Sequence, residues 1–371
     1  MLSSKVGTVV DVKEDLPGYT ELLVEIEGER TPAINYGALT GPARIGDRVL
    51  LNVTAVELGL GTGGYHFVMA NLSGGCTTAS GPGHIMKLRY TPLQFKVPAL
   101  EEENSPYRAA LERCSSLAGM PVIAAPLHSL VAPAVAGVKV ANPGLKVAYV
   151  MTDGGALPLA FSRLVRRLKE RGLLAAAITV GHAFGGDLEA VNLYSGLLAA
   201  KAVVRADAAV VAVGPGHVGT SSAWGFSGLQ QGEAVNAAWV LGGRPVAVPR
   251  LSGADPRPRH LGLSHHTVTA LGRVALAPAL IALPVLPASL RDRVYRQIRE
   301  AGLPDRHRVV SVDGRPALDL LEGEGIGTES MGRTREQDEV FFAAGGAAGI
   351  LAARLVEPRN EPEVAETPAP G

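Results

Sequence analysis

From about residue 105 onward the chain alternates continuous apolar runs with longer helical ones, and this alternation restricts the fold more than any other feature. KVAYVM is followed by LPLAFSRLVRRLKERG, AAAITV by DLEAVNLYSGLLAAKAVV, and AAVVAV by a segment through AVNAAWVLGG. RPVAVPRL then leads to a segment beginning near SHHTVTALG, ALIALPVL to PASLRDRVYRQIREAG, and RVVSV closes the series. Strands that are apolar at every position are buried on both faces, as happens where helices cover both sides of a parallel sheet. The expected fold is α/β, a doubly wound, mostly parallel, Rossmann-like sheet spanning residues 96–356. SPYRAALERCSSLAG, capped by Ser105 and stopped by Gly119, reads as a helix that opens it. EVFFAAGGAAGILAARLV reads as a last helix whose Gly345, Gly346 and Gly349 permit close approach to a neighbour, at a cost in helix propensity.

Residues 1–95 have a different rhythm. VGTVVDV, YTELLVEIE, DRVLLNVTAV and YHFVMANL are short β-type runs separated by turn residues, which predicts a small barrel or curled antiparallel sheet. The run GGCTTASGPGHIMKLRYTPLQ predicts an ordered crossing segment with apolar contacts from Met86, Leu88, Tyr90 and Leu93. The Pro- and Glu-rich residues 357–371 have little to bury and are expected to be disordered.

Composition narrows the function. Thirty-five basic residues balance 35 acidic ones, so no overall field draws nucleic acid or an anionic membrane, and neither is expected as a partner. No apolar run is long enough to span a bilayer: the stretch from Val274 to Leu290 is broken by three prolines. The two cysteines, Cys76 and Cys114, fit neither a disulfide framework nor a structural zinc site, and with a charged N-terminus they point to the cytoplasm. Cys76, flanked by glycines and hydroxyls, has no base nearby in sequence to make it a nucleophile.

In a parallel sheet, ligands bind beyond the carboxyl ends of the strands, so the residues just after each apolar run carry the chemistry. They include Asp153; His182 and Asp187; Gly214, Gly216, Gly219, Thr220 and Ser221; and Asp255, Arg257, Arg259, His260 and His265. VGPGHVGTSS fits G-x-G-x-x-G, but it falls in the third βα unit and lacks the acidic residue a ribose needs; a Walker lysine is also missing. What remains is a glycine turn carrying Thr220, Ser221 and Ser222 into a helix N-terminus, a seat for phosphate or carboxylate. Arg257 and Arg259, projecting to one side of an extended segment, can clamp the same anion. A divalent metal is allowed by His84, His182, His217, His260, His265 and His266 with Asp153, Asp187, Asp255 and Glu233, although no ligand spacing marks it. Adjacent His265 and His266 should diverge, so that at most one reaches a given site. GIGTESMGRTREQD, residues 325–338, reads as a solvated loop, with a lid bearing Arg333 and Arg335 as the alternative.

GLGTGGYHFV, GHIMKLRYTPLQ, VAYVMTDGGALPLAFS, GHAFGGDLEAVNLYSGLLAAK, VGPGHVGTSSAWGFSG with QGE, ADPRPRHLGLSHHTVTAL and SMGR together resemble the bacterial family catalogued as domain of unknown function 3866. The resemblance extends from Val6 to about Val356 and implies kinship without an activity. Asp153, His182, Asp187, Asp255, His260 and His265 lie in the matching runs; His217 and the Ser221-Ser222 pair depart from the pattern, which counts against His217 as an indispensable base.

The resulting expectation is a small anionic ligand, phosphorylated ones included, bound at the carboxyl edge. Gly216, Gly219, Thr220 and Ser221 would seat it, His182 or His265 would act as acid or base, and Asp153 or Asp187 would orient the imidazole or hold a metal. A hydrolase or transferase fits this arrangement. So does a metabolite-sensing or assembly module, in which the β domain or the last helix contacts a partner, another copy of the chain included.

Overall fold

The computed structural model describes residues 1–61, 63–74 and 81–356. Cys76 and the tail expected to be disordered lie outside these residues.

The first unit is a closed five-stranded barrel of order β1-β2-β3-β5-β4. Its strands are β1 (Ser4–Leu16), β2 (Tyr19–Ile26), β3 (Glu29–Asn35), β4 (Arg48–Asn52) and β5 (His66–Asn71), with short helices α1 (Gly37–Thr40) and α2 (Thr54–Glu57) between them. Irregular pairing of β1 with β2 at Val9/Asp11 and Val12/Glu14 supplies the curvature that closure needs. Val9, Leu22, Val24, Ala33, Val49, Leu51 and Val68 fill the interior. Strand β3 was not legible: in ERTPAIN only the last three residues are buried. Pro32 is tolerated there because β5 pairs only with Ala33 and Ile34.

The crossing segment forms a hairpin of β6 (Ile85–Lys87) and β7 (Phe95–Val97), followed by α3 (Arg108–Glu112). Its anchors are buried Lys87 and the ring of Phe95, set edge-on 4.9 Å from Phe184; Tyr90, expected to pack, is 99% exposed. The helix expected over 105–119 is only the five residues of α3. Leu117 and Gly119 donate instead to the carbonyls of Leu241 and Gly242, and Ser116 to that of Leu241, which holds this stretch as a turn.

The second unit is an eight-stranded sheet, every neighbouring pair parallel, in the order β11-β10-β9-β12-β8-β13-β16-β17. Its strands are β8 (Pro121–Ala124), β9 (Val147–Thr152), β10 (Ala176–Thr179), β11 (Leu188–Glu189), β12 (Ala208–Val213), β13 (Arg244–Ala247), β16 (Leu280–Pro284) and β17 (Arg308–Val312); β14 (Leu251–Ser252) and β15 (Gly262–Leu263) pair with each other beyond it. The helices are α4 (Val131–Ala141), α5 (Arg163–Glu170), α6 (Leu193–Ala202), α7 (Gln230–Val240), α8 (His265–Thr269), α9 (Ala288–Glu300), α10 (Arg315–Gly323) and α11 (Glu339–Arg354). The apolar runs are the buried strands, as the pattern predicts, and the domain is α/β and Rossmann-like. Strand β8 and helix α4 escaped notice because PVIAAPLHSLVAPAVAGVKV is apolar throughout and shows no change of period where strand passes into helix.

Helix α11 is buried from Val340 to Ala352. A Cβ on Gly349 would collide with the Ala134 carbonyl and stand 2.8 Å from the Cα of Gly137 in α4. The glycines therefore let two helix backbones touch, and the burial gained outweighs their propensity cost of about 1 kcal/mol each. Among the described residues, no helix is long and apolar enough to cross a membrane.

Candidate functional site

The chain leaves β8 for β9 and β10, returns to β12 between β9 and β8, and then crosses to β13 on the other side of β8. Loops part at such a reversal and open a crevice at the carboxyl edge. A cavity of about 510 Å³ lies there, lined by Leu127, His128 and Ser129 after β8, residues 215–217 after β12, Arg163 and Arg167 of α5, and residues 326–331.

The loop after β12 is not the expected cradle. Gly214 permits contact with the loop after β9: a side chain there would strike the Ala156 carbonyl, and the Ala156 amide donates to Pro215. Gly216, at φ 86°, turns the chain into the cavity wall. Beyond it, Gly219 bridges to Phe226, while Thr220 Oγ1 donates to the Gly225 carbonyl at 3.0 Å and accepts from the Ser222 amide at 3.1 Å. These exposed hydroxyls close their own turn, and helix α7 begins only at Gln230. Gly219, Thr220, Ser221 and Ser222 thus precede the 3-10 turn Ser227–Leu229 that leads into α7 and form none of its first turn.

The turn returns Phe226 to the interior, where it stacks on His266 with centroids 3.8 Å apart and an interplanar angle of 5°. Around it gather His217 at 5.5 Å from His266, His265 at 4.4 Å from His266, and His260 at 5.0 Å from His265. One nitrogen each of His260, His265 and His266 can be chosen so that all three lie within 4.8 Å of one another. His265 and His266 thus share one site, contrary to the expected divergence. Helix α8, which runs on into a π-helical turn over Ala270–Val274, is capped by Ser264, whose hydroxyl accepts from the His266 amide at 3.2 Å and hydrogen-bonds His260 Nδ1 at 2.7 Å.

Burial, reinforced by the Arg250 guanidinium, holds these imidazoles neutral: His217 at about 4, His260 at about 3 and His266 lower still. For His265 the lowering comes from burial and then from Arg259. The Nε2 atoms of His217, His265 and His266 are buried without a hydrogen-bond partner. Arg250 is 4% exposed, donates from Nη1 to His266 Nδ1 at 2.8 Å, and rests on Met331 Sδ at 3.4 Å. Burial and then the neighbouring Arg257 push it down to about 10.

Asp255, its side chain 1% exposed, accepts two bonds from Arg257 at 2.9 and 2.7 Å and one from Arg333 at 3.1 Å, which hold its carboxyl far below the usual range. Arg257 is thus committed to Asp255. Residues Pro258–His260 form a 3-10 turn, so Arg257 and exposed Arg259 are not a matched clamp on an extended strand. Segment 325–338 is no plain solvated loop: β18 (Glu329–Ser330) and β19 (Arg333–Thr334) form a hairpin tied down by Arg333 and by Ser129 Oγ, which bonds Ser330 Oγ at 3.0 Å.

Three expected residues lie apart from this cluster. Asp153 accepts the backbone amide of His182 at 2.9 Å rather than its ring, while Arg89 donates to His182 Nε2 at 3.1 Å. Asp187 pairs with Lys169 and accepts the Ala177 amide at 2.8 Å, so it caps a strand and orients no imidazole. Sequence reasoning missed Arg250, Phe226 and His128. Arg250 was read as the end of a strand; His128 follows the unrecognised β8, and its ring contacts Ser162 Oγ at 2.7 Å and Tyr149 OH at 3.2 Å.

These features define a doubly wound α/β protein with an N-terminal barrel and a crevice of histidines and arginines at the sheet's carboxyl edge. The chain belongs to the family described as a protein of unknown function (DUF3866), whose profile matches residues 32–349. No curated protein and no solved structure matches it.

Proposed function

We propose that the crevice binds a small anionic ligand, with Arg250 as its anchor, and acts on it as a hydrolase or transferase. The observation carrying this reading is the burial of Arg250 without an ion-paired carboxylate among the described residues; its side-chain partners are a neutral imidazole and a thioether. A buried guanidinium is costly unless an anion compensates it. Arg163 and Arg167 add positive charge on the cavity wall, and His217 joins that wall to the histidine cluster. A bound anion would offset the arginine charge that holds these imidazoles down and bring them toward the range where imidazole serves as acid or base.

The test is Arg250→Met, which keeps most of the volume and removes the charge. Inorganic phosphate, pyrophosphate and dicarboxylates should raise the melting temperature of the wild type and leave the variant unmoved. The variant itself should be as stable as the wild type or more so, because a buried charge is removed. A strongly destabilised variant would mean that Arg250 is structural and would sink the reading. Phosphoester and acyl-ester turnover assays on the wild type then separate catalysis from sensing.

A further inference from the structure

We infer that His260, His265 and His266 form a binding site for one divalent transition-metal ion of the zinc type. The inference goes beyond the anion reading and does not depend on it.

Two of the rings are already held in place. His266 is stacked on Phe226, and His260 is fixed through Nδ1 by Ser264. His265, the first residue of α8, is the half-buried member, and its ring is the one left to close the set. Ligand nitrogens around one tetrahedral ion at ~2.1 Å stand roughly 3.4 Å apart. These nitrogens lie within 4.8 Å of one another, so the set must contract to close on an ion, with His265 the least buried of the three rings.

The unpartnered nitrogens make the bland alternative, a cluster of structural histidines, a poor fit. Among the described residues, His265 Nε2 and His266 Nε2 are buried with no hydrogen-bond partner, although the His266 amide is capped by Ser264 and its ring is stacked on Phe226. Each buried, unmet polar atom costs about 1–3 kcal/mol, and a purely structural cluster has no reason to keep two side by side. The donor set is all imidazole, without thiolate or a ligating carboxylate, which suits zinc, nickel, copper or iron over magnesium or calcium. Three protein ligands leave coordination positions open for water or a ligand.

The surrounding charge shapes what such an ion can hold. Arg250 donates to His266 Nδ1, so that ring carries its proton on Nε2. Ligation through Nε2 moves the proton to Nδ1 and releases the guanidinium. With Arg259, Arg250 and Arg257 all acting on His265, the open positions favour an anion over a neutral ligand.

The experiment is metal analysis of the purified full-length chain, followed by chelation and titration with Zn²⁺ and Co²⁺. About one ion per chain is expected, with d–d absorption of the cobalt form in the range of nitrogen-ligated tetrahedral sites. His265→Gln and His260→Gln should each lower the affinity at least tenfold while keeping the far-ultraviolet circular dichroism and cooperative unfolding; Asp187→Asn, at the far strand cap, should bind as the wild type does. His265, half-buried, is the variant least exposed to misfolding. A chain that is metal-free as purified and shows no saturable site for either ion overturns the proposal. So does an ion that survives both histidine substitutions. The phosphate-induced melting shift, measured on the chelated protein, reports on the Arg250 reading separately.

Discussion

His128 shows how one residue couples burial to acid stability. Burial holds its imidazole down to about 4 from an ordinary 6.5. The unfolded chain therefore binds the proton more readily, so the stability His128 contributes is fully present above about pH 6.5 and is lost as pH falls toward 4. At ~1.4 kcal/mol per pH unit this amounts to at most about 3 kcal/mol. His128→Gln should flatten the dependence of urea-derived stability on pH between about 4 and 6.5; an unchanged slope would place the acid sensitivity elsewhere. Gly216 carries a different constraint. A Cβ added there would have room, meeting Ala156 N at 3.8 Å, but the φ of 86° penalises any side chain. Gly216→Ala should cost about 1–2 kcal/mol in chemical unfolding from the backbone alone. At this scale the sequence was informative about which residues follow strands, and two of them, His260 and His265, have ring centroids 5.0 Å apart. Burial of an arginine and stacking of Phe226 on His266 were invisible, since both depend on a loop that leaves the sheet and returns.

Between α4 and α11 the spacing is set by absent side chains. A Cβ on Gly349 collides with a carbonyl that belongs to the neighbouring helix backbone and cannot swing aside. Gly349→Ala should therefore destabilise the protein by roughly 3 kcal/mol or more despite alanine's better helix propensity, as read from the urea midpoint. Stabilisation by the same change would show that the helices can part without loss. Periodicity found this helix, and the glycines within it correctly indicated close packing. It failed for α4, where Pro133 and Gly137 interrupt an apolar stretch continuous with β8, and for α3, where tertiary hydrogen bonds to the 241–242 turn outcompeted a helix-like pattern.

At the scale of the whole molecule, the barrel meets α5, whose Arg163 lines the cavity, through ion pairs that include Glu21 with Arg163 and Glu14 with Arg166. Arg163 on the cavity wall donates to Glu21 of β2 at 2.7 Å, and Phe67 meets Phe161 edge-on at 6.3 Å. Glu21 partly neutralises a cation that lines the cavity. Glu21→Gln should strengthen phosphate binding a few-fold by calorimetry, in keeping with the ~0.2–1 kcal/mol of an exposed pair. Unchanged affinity would confine the anion to the Arg250 side. The division into β unit and α/β unit was legible because the period of apolar residues changes. The connection between them was not, because no sequence pattern reveals which barrel side chain meets which helix.

The placement of α11 has a consequence for how the chain matures during synthesis. The barrel is closed by strands that end at Asn71, so its pairings are available as soon as that stretch leaves the ribosome. The large sheet is different: one wall of its interior is α11, which follows every strand of that sheet in the chain and is buried from Val340 to Ala352. Until that helix emerges, α4 presents a small-residue groove to solvent, and the α/β unit is an apolar surface awaiting its last piece. The second unit therefore locks only once residues 339–354 have been translated, and a chain halted before residue 339 is a substrate for chaperones or proteases rather than a smaller working protein.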